Sequence, residues 1–156
     1  MRAGSTTVRM EQGRYNLEDF ELYRLAREFR KKAYRLVRQL PAEERFCLEP
    51  QMRRAAVSIT NNIAEGHGRW HYQENLRYCR MARGSVEEVL DDLNVCIEEG
   101  YGDPRMVAEL KAEAYGVIGK VNAYMAYLKS VSRRKRPEPP LRLTTHHSPL
   151  TLHRAR

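Results

Sequence analysis

Long apolar runs are missing from this chain of 156 residues. No segment approaches the ~18 consecutive apolar residues that a bilayer-spanning helix needs, so no membrane span is expected. The opening MRAGSTTVRMEQGRYN has no apolar h-region, and a secretory signal is not expected either. Cysteine is scarce: Cys47, Cys79 and Cys96 are an odd number without metal-type spacing. Two of the three fall at apolar helical positions, which predicts buried free thiols in a reducing cytoplasm rather than a disulfide framework.

Catalytic signatures are lacking too. A di-iron bundle needs Glu-x-x-His pairs on facing helices, whereas His71-x-x-Glu74 has the reverse order and lies beside a loop. His67 and His71 are four apart, but they straddle a glycine turn and no third ligand has helical spacing to them. Ser58, Ser85 and Cys79 have no companion base at a persuasive spacing. No Walker-type or dinucleotide-type glycine loop occurs. The expectation is a protein that is not an enzyme and holds neither cofactor nor metal.

What is present is charge, and it is segregated. Charged residues make up 31% and apolar residues 42% of the chain, with a net charge of +8. That suits one globular domain long enough to bury a core. Arg24 to Arg38 carries seven basic residues against Glu28 alone, and Arg45 to Arg83 carries seven against three acids. Val86 to Glu113 reverses the sign, with nine acids against two bases. From Ser132 onward seven bases face only Glu138. One side or end should attract polyanions while another repels them.

Apolar periodicity predicts four helices. The first runs from about Leu17 to Gln39, with Asn16 as N-cap and Pro41 beyond its end. Leu22, Leu25, Ala26, Phe29, Ala33, Leu36, Val37 and Leu40 share its apolar stripe. Arg24, Arg27, Lys31, Arg35 and Arg38 share the opposite face, with almost no Glu to form i,i+4 pairs. The second helix runs from near Pro50 to Glu65, with Gly66 expected at the left-handed C′ position. The third, about Tyr72 to Glu99, has Tyr72, Leu76, Cys79, Val86, Leu90, Leu93 and Ile97 at heptad-like spacing. Gly84 interrupts it at a cost of ~1 kcal/mol relative to Ala, so a backbone crossing close to it is expected. Gly100-Tyr101-Gly102 ends this helix, and Asp103-Pro104 caps and opens the fourth. Short connections and the absence of strand-like alternation predict an all-α, antiparallel up-down four-helix bundle over residues 16–131. Residues 1–15 read as a flexible arm. Residues 132–156, which open on SRRKRPEPP, read as a basic, proline-containing disordered tail.

Two constellations stand out. In Asn61-Asn62-Ile63-Ala64-Glu65-Gly66, the side chains of Asn62 and Glu65 are expected to bond free backbone groups at a helix end, with Arg69 pairing with Glu65. That is an architectural role. Arg53, Arg54, Arg69, Arg77 and Arg80 come from the second helix, the hinge and the start of the third, and are expected to converge at one end of the hairpin. Arginine grips phosphate in a planar, bidentate manner, and Trp70, Tyr72 and Tyr78 offer stacking faces nearby. With Arg133, Arg134, Lys135 and Arg136 of the tail and the first helix's basic row, these residues fit backbone-driven nucleic-acid binding. The bland alternative is a generic cationic surface. Arg83 lies nearer the apolar stripe and suits a subunit contact. Nine tyrosines against three phenylalanines also suit interfaces, with Tyr115, Tyr124 and Tyr127 as candidates for contacts between subunits.

The run QMRRAAVSITNNIAEGHGR (Gln51 to Arg69), followed by the ARGS of Ala82 to Ser85, resembles the signature of the S23-type four-helix-bundle proteins. The likeness covers roughly Phe20 to Leu128. That family includes proteins encoded in intervening sequences of bacterial large-subunit ribosomal RNA genes. It also includes the accessory variability proteins (Avd) of diversity-generating retroelements. The resemblance implies a ring-like homopentamer. In the retroelement branch it also implies a reverse transcriptase and its template RNA as partners. The expectation ranked first is therefore a cytoplasmic, non-catalytic accessory protein that binds RNA or DNA, with an intervening-sequence protein of undefined role second. A structural interaction module whose basic face docks an acidic partner is the reading from a different class.

Overall fold

The computed structural model describes residues 16–69 and 71–134, and among them all regular structure is helical. Four helices, α1 (Glu21–Val37), α2 (Leu48–His67), α3 (Tyr72–Glu99) and α4 (Pro104–Arg134), form a four-helix bundle. Short 3-10 turns at Leu17–Asp19 and Ala42–Phe46 precede α1 and α2. Residues 1–15, with the arm expected there, and 135–156, with most of the expected tail, lie outside the described residues.

The core grows from the stripes that the periodicity marked out. Phe29 and Leu36 of α1, Met52 and Ile59 of α2, Leu93 of α3 and Leu110 of α4 are all fully buried. Each such side chain contributes on the order of 1.5–3 kcal/mol by leaving water. Leu25 and Ile97, expected in the stripes, are instead exposed at the rim. Polar bonds stitch neighbouring helices between these layers. Arg30 Nη1 donates to Thr60 Oγ1 at 2.7 Å. Ser85 Oγ donates to Ser58 Oγ at 2.8 Å, and Asn62 Nδ2 donates to the same Ser58 oxygen at 3.1 Å. Within the Gln51–Arg69 run, Thr60 thus ties α2 to α1 and Ser58 ties it to α3.

Several boundaries differ from the sequence expectation, each for a local reason. The chain leaves the Leu17–Asp19 turn through an extended Phe20, and Asn16 makes no side-chain cap. Phe20 spends its ring on packing, 4.9 Å from His67 and 5.0 Å from Tyr124, rather than continuing a helix from Leu17. Asn62 does not cap a terminus; its amide bonds the Ser58 carbonyl one turn back within α2. Gly66 lies inside α2, which continues to His67, and Gly100 and Gly102 are the positive-φ glycines among the described residues. What demands glycine at 66 is space: a Cβ there would lie 2.9 Å from Asn75 Oδ1 and 3.0 Å from the Tyr78 Cβ on α3. The close approach expected at Gly84 is absent, since a Cβ there would meet nothing within 4 Å. Gly100 is the left-handed cap instead, with Tyr101 N–H bonding back to the Cys96 carbonyl at 2.8 Å. Asp103 caps α4 as expected, its Oδ1 accepting the Arg105 N–H at 2.9 Å. α4 then runs to Arg134, so Ser132, Arg133 and Arg134 are helical rather than part of the tail.

Candidate nucleic-acid interface

One end of the bundle gathers the start of α1, the end of α2, the start of α3 and the end of α4. A chain of ring contacts joins them. Phe20 touches His67 and Tyr124, and Tyr124 stacks on Tyr127 with centroids 6.3 Å apart and planes 22° from parallel. Asn75 ties the cluster together: its Nδ2 donates to Tyr124 Oη at 3.0 Å, and its Oδ1 accepts from Cys79 Sγ at 3.4 Å. Burial pushes the Tyr124 phenol above its ordinary value, so this ring stays neutral. Arg69 sits over the Tyr78 ring at 5.5 Å and ion-pairs with Glu65, as the Glu65–Arg69 spacing suggested.

Two grooves open here, beside the contact between α3 and α4. One, of about 500 Å³, is lined by His67, Gly68, Arg69, Tyr72, Asn75, Tyr124, Tyr127 and Leu128. The other, about 260 Å³, is lined by Gln73, Leu76, Arg80, Lys129, Ser132 and Arg133. Neither lining contains an acid. Among the described residues, Arg77, Arg80, Lys129 and Arg133 make no ion pair. Exposed guanidinium and ammonium groups left unneutralised around one concavity are suited to phosphate.

The expected site residues separate into groups. Arg24, Arg27, Lys31, Arg35 and Arg38 do form an exposed row on α1. Acids dilute it: Glu28 of the same helix pairs with Lys31 at 2.7 Å, and Glu109 and Glu113 of α4 line a groove with Arg35. The convergence expected of the five arginines holds only in part. Arg53 stands 16 positions before Arg69, which at 1.5 Å per residue places it ~24 Å away, toward the other end of α2. It is occupied there, paired with Glu49 at 3.0 Å and lying over the Tyr34 ring at 5.0 Å. Arg54 is its exposed neighbour. Arg69, Arg77, Arg80, Arg133 and Arg134 belong to the aromatic end; Lys135, Arg136 and Trp70 lie outside the described residues. Lys129 is the cation that sequence reasoning missed. Lys129 already lies within the expected bundle, directly after Leu128 of the α4 stripe, and the signal was its position one residue from that buried stripe. Arg83 bonds Asn122 Oδ1 at 3.4 Å within the chain.

Buried titratable groups lie away from this end or are inert. Cys79 and Cys96 are buried thiols pushed up to about 11 by desolvation. Asp92 is fully buried, and its carboxyl rises to about 6, chiefly by desolvation and against the Gln51 bond that lowers it. Its Oδ1 accepts from Gln51 Nε2 at 2.7 Å, while Oδ2 has no partner among the described residues. No cluster of three or more potential metal ligands occurs among the described residues, and none of their helices is long and apolar enough to cross a membrane.

Fold and surface together define a class: a four-helix bundle with an aromatic, cation-lined end. Residues 18–123 match the family described as 23S rRNA-intervening sequence protein, and the chain belongs to that family. The structure is similar to a crystal structure from Bacteroides thetaiotaomicron VPI-5482, described as a protein with unknown function from the S23 ribosomal protein family. The TM-score is 0.62 at 17% sequence identity, over 67% of this chain and 97% of that one. At that identity the likeness bears on fold alone. No curated protein matches the chain.

Proposed function

We propose that this protein is a non-catalytic nucleic-acid-binding protein of the cytoplasm that grips phosphates without reading sequence. The observation that carries the reading is the meeting of Arg80, Lys129 and Arg133 around one acid-free groove, with Arg69, Arg77 and Arg134 nearby. Backbone contacts of this kind supply affinity rather than base specificity. RNA is the first ligand to try, because the family's description places its members with ribosomal RNA intervening sequences. An accessory role beside a retroelement reverse transcriptase would use the same surface and ranks second. We read the bundle as antiparallel and up-down, which the pairing of Gln51 with Asp92 and of Gly66 with Asn75 supports. We read its assembly as a ring-like homopentamer, following the resemblance, and the exposed Leu25, Phe46, Met81, Ile97 and Tyr115 provide surplus apolar surface for it.

The experiment is a titration of the full chain against unrelated RNAs at several salt concentrations. The reading expects similar affinities and a linear fall of log affinity with log salt. Absence of salt-sensitive binding to any RNA or DNA would hand first place to the interaction module with an acidic protein partner.

A further inference from the structure

We infer that the aromatic groove beside the cationic one is a stacking site for an unpaired nucleobase, so that the ligand is a single strand rather than a duplex. The inference rests on the nucleic-acid reading and adds a ligand class to it. Tyr127 is the exposed member of the ring cluster, with 59% of its surface in solvent, while Tyr124 behind it is half-buried and fixed by Asn75. A ring held by a neighbour at 6.3 Å and open to solvent presents an apolar face already ordered, which lowers the entropy lost on stacking. Leu128 of this groove and Lys129 of the cationic groove are consecutive on α4, as are Tyr72 and Gln73 on α3, so the two concavities share a wall. A strand whose phosphates lie along Arg80, Lys129 and Arg133 therefore has a base within reach of Tyr127. Charge complementarity selects this occupant: both linings hold cations and no acid, while the groove around Arg24 and Leu25 contains Glu18, Glu21 and Glu28. Paired bases are already stacked inside a duplex and cannot offer a face to the ring without unpairing.

The test compares a single-stranded RNA, a duplex of the same length and an abasic single strand of equal charge, using the full chain with Tyr127→Ala and Tyr127→Phe. Tyr127→Ala should weaken binding to the single strand by roughly five- to a hundred-fold, the loss of one base–aromatic stack. Tyr127→Phe should stay within about twofold of the parent, and duplex affinity should not change. The abasic strand should bind the parent as weakly as the intact strand binds Tyr127→Ala. Equal losses on single strand and duplex, or no loss on either, overturn the stacking site while leaving phosphate binding intact. If Tyr127→Ala instead lowers the assembled mass in light scattering and spares RNA affinity, the groove takes a second copy of this chain and the inference fails. Absence of binding by the parent protein sinks both readings together.

Discussion

At the scale of single residues, the two helical glycines that looked exceptional in the sequence have opposite environments. Gly66→Ala would drive a Cβ into Asn75 and Tyr78 of α3, so a loss of ~1–3 kcal/mol is expected in urea or thermal melts. Gly84→Ala meets open space and removes a helix penalty, so a gain of ~0.5–1 kcal/mol is expected. An unchanged melt for Gly66→Ala would contradict the packing account, and a lower one for Gly84→Ala would place a second copy against that face. Glycine was easy to notice at both positions, but one letter cannot say whether conformation, space or neither requires it. Asp92 gives a third expectation. Its folded pKa of about 6 exceeds the ordinary 3.8, so ionisation costs stability above pH 6 and that cost is absent below about pH 4. The groups facing it are Gln51 and Arg54 on α2 and Glu88 and Asp91 on its own helix. Parent protein should therefore gain stability relative to Asp92→Asn as pH falls from 7 to 4, by a few kcal/mol at about 1.4 per pH unit. A difference independent of pH would show that the carboxylate is not desolvated.

At the scale of elements, the helices were legible because their stripes and stops agree. Asp103-Pro104 opens α4 and Gly100 closes α3 where residue chemistry alone placed them. Less legible were features that depend on length or on a partner. The end of α1 that holds Phe20 is set by His67 and Tyr124, which arrive from two other helices. Arg53 and Arg54 looked clustered with Arg69 in sequence, yet α2 has 20 residues and so carries its two ends ~30 Å apart. The α1 row likewise appeared to hold almost no acid besides Glu28 until Glu109 and Glu113 of α4 were placed in a groove with Arg35. Reversing Lys31 and Arg35 to Glu should accordingly weaken RNA binding equally across unrelated sequences. The loss should be smaller than that from reversing Arg80 and Lys129, with helix content by circular dichroism unchanged. A larger loss from the α1 pair would move the interface to that face.

At the scale of the whole molecule, charge is sorted along the bundle. α3 begins with Arg77 and Arg80 and continues through Glu87, Glu88 and Asp91, so cations collect where it meets the end of α4. The candidate site was half readable: arginine with tyrosine near the hinge pointed to it, but the helical state of Arg133 and Arg134, which brings them beside Arg80 and Lys129, emerges only when α4 is followed to its end. Surface charge decides association more than fold, so binding rather than stability reports on this surface. The most direct test is the salt dependence of RNA affinity for the parent chain and for the triple variant Arg80→Glu, Lys129→Glu and Arg133→Glu. The account predicts linear log–log plots, with the variant's slope flatter by about three units, one per phosphate contact removed. Equal slopes for the two proteins would contradict it.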